Sequence, residues 1–164
     1  MKQQSKFNDK RSGKIALIAH CILNQNSRVP GLAERPSAIK EIITLLMDKE
    51  IGIAQMPCPE LGFAGIRRPP QTREEYDSVI YRRYCEKIAK ELANQIEEYE
   101  KAGIRLQLVV GVKGSPSCGI NETLGIFMKE LRFALGKKKI SAPFYSVGYK
   151  SIKHDITELK KLIK

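Results

Sequence analysis

Three of the four cysteines in this chain stand where thiols do chemistry rather than packing. Cys21 opens "CILNQNSRVPG", Cys58 opens "CPELG" and Cys118 lies inside "GSPSCG"; each segment is rich in Gly, Pro, Asn or Ser and follows a short apolar run. Loops of that composition carry function more often than they carry a core. Cys85 differs, because in "YRRYCEKIAKEL" it shares the helical spacing of Ile88 and Leu92 and reads as a small core hydrophobe.

Thiols that converge from three loops suit several chemistries. Zinc would take three thiolates and a fourth ligand, with His20 beside Cys21 as the candidate. No C-x2-C pair is present, however, and His20 at the end of a strand should point to the opposite face from Cys21, as a satisfied buried histidine. A phosphatase-type cysteine loop would need one residue fewer than separates Cys21 from Arg28, and no Walker or dinucleotide glycine pattern appears. An iron-sulfur cluster suits three soft thiolates better. Clusters normally take four cysteines, so three would leave one iron without a protein ligand, and an open iron is a Lewis acid able to hold a substrate's sulfur. Two alternatives stay open. One is a basic metal-binding or RNA-associated module with a structural zinc or Fe-S site; the other is thiol-based redox catalysis without iron.

The elements that would position these thiols alternate between strand and helix. "KIALIAH" (14–20), "IGIAQMP" (51–57) and "RLQLVVGV" (105–112) are short apolar runs that read as buried strands, and "SAPFYSVGY" is a fourth strand or extended edge. Residues 21–36 read as loop, and a helix is expected from Ser37. A capping box of Thr72 and Glu75 should open one long helix to about Gly103, with Tyr76, Val79, Ile80, Tyr84, Ile88, Leu92, Ile96 and Tyr99 as its apolar stripe. "TLGIFMKELRFALG" is helical, and a second capping box at Asp155 and Glu158 should start the last helix.

Such alternation predicts an α/β fold: a single-domain three-layer sandwich over residues 14–164, with a central parallel sheet of about four strands, Rossmann-like or flavodoxin-like, behind a flexible basic tail at 1–13. Ligands of such sheets bind outside the carboxyl ends of the strands. All three loop cysteines follow those ends, so the fold should gather them on one rim.

The 164-residue length fits one domain, and no apolar run is long enough to span a membrane. The first residues lack the apolar core of a signal peptide, so a cytoplasmic protein with free thiols is expected. The net charge of +11 invites a nucleic-acid reading. The lysines are dispersed through the tail, "GKKK" and the last helix without interleaved aromatics, so a solvated surface is favoured over an RNA track.

"CILNQNSRVPG", "PCPELG" and "GSPSCG", in this order and at these separations, resemble the three signature segments of the thiouracil desulfidase (TudS-like) family, over about residues 14–135. The resemblance implies a 4Fe-4S cluster held by Cys21, Cys58 and Cys118, whose free iron takes sulfur from a thiocarbonyl while water replaces it on carbon. It also puts Glu60 and Ser115 at catalytic positions. That agrees with the chemistry, since the exchange needs a base for water and an acid for the leaving sulfur. A small thiolated substrate is the expected partner, with Asn24, Arg28 and Ser117 as its contacts; Arg67 and Arg68 join Arg28 as candidates for an acidic group. The first loop departs from the family pattern, which commonly has an aromatic and an acidic residue after its arginine, where this chain has Val29, Pro30 and Gly31.

Overall fold

The computed structural model describes residues 7–163, so residues 1–6 of the expected tail lie outside the described residues. Strands β1 (Lys14–Ile18), β2 (Gly52–Gln55), β3 (Arg105–Val112) and β4 (Phe144–Val147) form one sheet in the order β2-β1-β3-β4, with every neighbouring pair parallel. The helices among the described residues are α1 (His20–Leu23), α2 (Lys40–Asp48), α3 (Pro59–Ala64), α4 (Arg73–Tyr76), α5 (Val79–Lys101), α6 (Ile126–Lys137) and α7 (Ile152–Leu162), with a 3-10 turn at Gln25–Ser27.

Burial explains why the central strands are apolar throughout. Ala16, Leu17 and Ile18 of β1 and Leu108, Val109 and Val110 of β3 are fully covered, as strands clothed on both faces must be. The edge strand β2 is only half-buried at Ile53 and Ala54; the apolar weight of its run falls just outside it, on buried Ile51 and Met56. The chain moves from β1 outward to β2, then returns across β1 to β3 and on to β4. Right-handed crossovers therefore put α2 on one face and α5 and α6 on the other. α5 packs on α6, and α2 packs on α7, which completes the three-layer α/β sandwich. The order matches the first four strands of the flavodoxin-like arrangement, and its reversal between β1 and β3 creates a crevice at their carboxyl ends.

Several boundaries differ from the sequence expectation. β1 ends two residues early, and the segment expected as loop after Cys21 coils into α1 and the 3-10 turn. Buried Ile22 anchors that coil, and Asn24 caps the turn, its Oδ1 accepting the Asn26 N–H at 3.1 Å. α2 starts at Lys40 rather than Ser37, whose carbonyl is engaged by the Gln25 N–H at 2.6 Å. The Thr72–Glu75 capping box forms, but it closes after the single turn α4; Ser78 caps α5 afresh by accepting the Tyr81 N–H. This restart rotates the buried stripe onto Tyr81, Cys85, Ile88, Ala89, Leu92, Ala93 and Ile96, and leaves Val79, Ile80 and Tyr99 exposed. Cys85 is a core residue, as its spacing suggested.

α7 begins at Ile152, so Asp155 is not its cap but a fully buried carboxylate. It accepts hydrogen bonds from Lys113 Nζ (2.7 Å), Tyr145 Oη (2.7 Å), Ser151 Oγ (2.7 Å) and the Gly148 N–H (2.8 Å). These tie α7 to the ends of β3 and β4. Burial alone would raise the Asp155 carboxyl, but the Gly148 N–H, Lys113, Ser151 and Tyr145 bonds outweigh it and hold the group below its ordinary value. A depressed carboxyl stabilises the fold above its unfolded value and loses that contribution as pH falls through its folded one. Asp155→Asn is expected to cost about 3 kcal/mol at neutral pH, the low end for a broken buried pair because Lys113 is partly solvated. It should also flatten the loss of thermal stability below about pH 4, near the ordinary aspartate value. Melting curves from pH 3 to 7 measure both effects.

Candidate functional site

Three strand ends deliver the three thiols. Cys21 sits in α1, immediately beyond β1, and its carbonyl accepts from Gln25 Nε2 at 2.6 Å. Cys58 caps the N-terminus of α3, its Sγ accepting the Leu61 N–H at 3.4 Å, with Pro59 pre-set in the first turn and Glu60 beside it. Cys118 lies in a tight loop after β3. Gly114 turns the chain with φ +75°, a conformation that favours glycine, and the Val112 N–H reaches back to the Cys118 carbonyl at 3.0 Å. A side chain at Gly111 would overlap that carbonyl, so the bare backbone lets the Cys118 loop lie directly on β3.

These loops enclose a cavity of about 170 Å³ lined by Cys21, Cys58 and Cys118 together with Glu60, Ser115 and Arg28. His20, Arg68 and Lys113 line it as well. His20 departs from expectation: β1 has already ended, the helical turn of α1 brings His20 and Cys21 to the same cavity, and its ring bonds to no described residue.

Two expected substrate contacts lie elsewhere. Ser117 is buried away from the cavity with its hydroxyl 2.6 Å from Tyr81 Oη, because its neighbour Cys118 takes the inward position. Asn24 uses its side-chain oxygen on the 3-10 turn and does not line the cavity. Arg28 does line it, and lies over the Tyr149 ring at 4.9 Å. Ser115 Oγ accepts the Cys118 N–H at 3.0 Å and the Ser117 N–H at 3.4 Å, which leaves its own O–H available to donate.

Burial pushes all three thiols up, and Cys118 well above the usual range; Glu60 adds to this at all three and neighbouring thiols at Cys58 and Cys118, while Arg28 opposes it at Cys21 and the Leu61 N–H at Cys58. Protonated, desolvated thiols are poor nucleophiles, and a soft metal that displaces their protons suits them better. A tetrahedral zinc site holds its sulfurs about 3.8 Å apart. Among the described residues no three His, Cys, Asp or Glu side chains converge on one metal-ion position. All three thiols nevertheless line the one cavity.

A buried ion pair completes the site. Glu60 and Arg68 are only 7% and 5% exposed, with Arg68 Nε 3.6 Å from Glu60 Oε2. The sequence could not separate Arg68 from the exposed Arg67 beside it, and it held no sign that Lys113 would be fastened by Asp155. The one available signal for Lys113 was its position directly after β3, at the carboxyl edge.

Residues 13–135 match the family model described as "Putative 2-thiouracil desulfurase". The chain is 36% identical over 153 residues to a protein of Methanocaldococcus jannaschii described as "Uncharacterized protein MJ0003", covering 92% of this chain and 97% of that one. No solved structure gives a significant match. The matched segment spans most of the chain and holds all three cysteine loops, the buried Glu60–Arg68 pair and the cavity they border; the chain belongs to the family described as "Putative 2-thiouracil desulfurase".

Proposed function

We propose that this protein is a 4Fe-4S-dependent desulfidase that exchanges the thiocarbonyl sulfur of a thiolated pyrimidine base, nucleoside or nucleotide for oxygen from water. The observation that carries this reading is the meeting of Cys21, Cys58 and Cys118 with the buried Glu60 at one cavity, in a chain of this family. When bound, the cluster would supply a Lewis-acidic iron without a protein ligand for the substrate's sulfur. The exchange balances as thiocarbonyl plus water giving carbonyl plus hydrogen sulfide, with no electrons gained or lost.

The chain's own residues account for the remaining work. Cys21, Cys58 and Cys118 are the ligands. Glu60 takes a proton from the attacking water and returns it to the departing sulfur, the two-way role of a carboxylate beside a reacting centre. Ser115, with its oxygen already accepting two backbone N–H groups, donates its hydroxyl proton to bound sulfur. Arg28 offsets part of the negative charge that three thiolates bring to the cavity, while Arg68 faces Glu60. No helix among the described residues is long and apolar enough to cross a membrane.

The test is anaerobic reconstitution with iron and sulfide, followed by incubation with 2- and 4-thiouracil and their nucleosides in water labelled with heavy oxygen. Sulfide release equal to the uracil formed, with label in the new carbonyl, is the expected result. A protein holding about four irons that turns over none of these compounds overturns the proposal, as does one tightly held zinc in place of iron.

A further inference from the structure

Arg68 is buried, yet one of its nitrogens has no hydrogen-bond partner. Nη1 donates to the Gly65 carbonyl at 3.1 Å and Nη2 donates to the Ser27 carbonyl at 2.9 Å. Nε–H has no hydrogen-bond partner and lies 3.6 Å from Glu60 Oε2, just beyond hydrogen-bond reach; the buried Tyr76 hydroxyl, also without a partner, is close to both side chains. Gly65 ends the helix that Cys58 begins, and Ser27 closes the turn that follows Cys21. One planar fork thus ties the first cysteine loop to the second and leaves its Nε–H beside the cavity carboxylate. A buried N–H left unpaired costs stability, and the contact that would relieve it is short of closure by only a few tenths of an ångström. Catalytic hydrogen bonds are often long in a free enzyme and tighten when the site fills.

We infer that Arg68 is the positioning residue for Glu60: its two carbonyl contacts lock the guanidinium between the loops, and its Nε–H fixes the Glu60 carboxylate over the reacting centre. The inference rests on the desulfidase reading and extends it to a residue outside the cysteine motifs. Lysine cannot replace this arginine, because a single ammonium on a flexible stem does not donate in three fixed directions at once.

A double-mutant cycle tests it, with Arg68→Gln, Arg68→Lys, Glu60→Gln and the doubles compared at matched iron content. Arg68→Gln is expected to lower kcat by about 30- to 100-fold while KM stays within about threefold, and to add no further loss in the Glu60→Gln background. Arg68→Lys should recover less than a tenth of wild-type kcat, and Arg83→Gln, on the exposed side of α5, should match wild type. A second readout needs neither cluster nor turnover: in metal-free protein, carbodiimide-driven amine coupling at Glu60, followed by mass spectrometry, should speed up several-fold when Arg68 is changed. Multiplicative losses in the two backgrounds, full rescue by lysine, or unchanged labelling of Glu60 would each overturn the inference. Should Arg68→Gln fail to fold, Arg68→Lys carries the same comparison. If the wild type turns over no thiolated pyrimidine, the desulfidase reading fails, and the labelling still decides whether Arg68 holds Glu60.

Discussion

Serine in place of Cys21, Cys58 or Cys118 is expected to abolish both iron loading and turnover, while Cys85→Ser keeps both. Each of the three borders the cavity from a different strand end, so a loss at any one removes a corner that the other two cannot supply. A serine hydroxyl is a hard, poorly acidic donor, and soft iron-sulfur groups select thiolates. After anaerobic reconstitution, iron and acid-labile sulfide should fall from about four per chain to well under one in each of these variants. Cys85 lies under the α5 stripe, where burial pushes its thiol up to about 12, and it does not line the cavity. A serine there buries a hydroxyl, which costs about 1–3 kcal/mol and a lower melting temperature, but leaves the metal content intact. Iron lost from Cys85→Ser without unfolding, or retained at full level in any of the other three, would show that the ligand set is different.

Glu60→Gln should do the opposite: keep the iron and lose the reaction. Glutamine has nearly the shape of glutamate and stands beside, not among, the thiols, so loading should stay near wild type. Glutamine cannot take the proton of attacking water in the role proposed for Glu60, and the expected fall in kcat is about 10²- to 10⁴-fold. Steady-state turnover of a thiolated uracil, normalised to iron content, measures it. A variant that loads iron normally and turns over within threefold of wild type would remove Glu60 from the mechanism. Stability should also drop by about 1–3 kcal/mol, because the buried Arg68 would then face an amide in place of its counter-charge.

Much of this site was legible in the sequence. Apolar runs of strand length, each ending in a Gly- and Pro-rich loop with a thiol, already imply a parallel sheet whose carboxyl edge gathers Cys21, Cys58 and Cys118. Cys85 was separable from them by helical spacing alone. The motif reading added Glu60 and Ser115, and both line the cavity. It also nominated Ser117 and Asn24, which do not line it. Adjacent serines in "SPSC" are equivalent as text; the backbone bonds of the turn send Ser115 to the cavity side and Ser117 to Tyr81.

The alternation of elements, the parallel sheet and the loops that carry thiols could all be read from the residues in order. These follow from hydrophobic period and turn composition, which act over a few residues. Which of several equivalent polar neighbours enters the cavity depends instead on long-range contacts. Arg68 rather than Arg67 enters it because Ser27 and Gly65, on two different loops, offer carbonyls to its fork. Lys113 is held at its edge by Asp155, a residue of the last helix. Such choices depend on partners about 40 residues away along the chain, whose meeting no local pattern encodes.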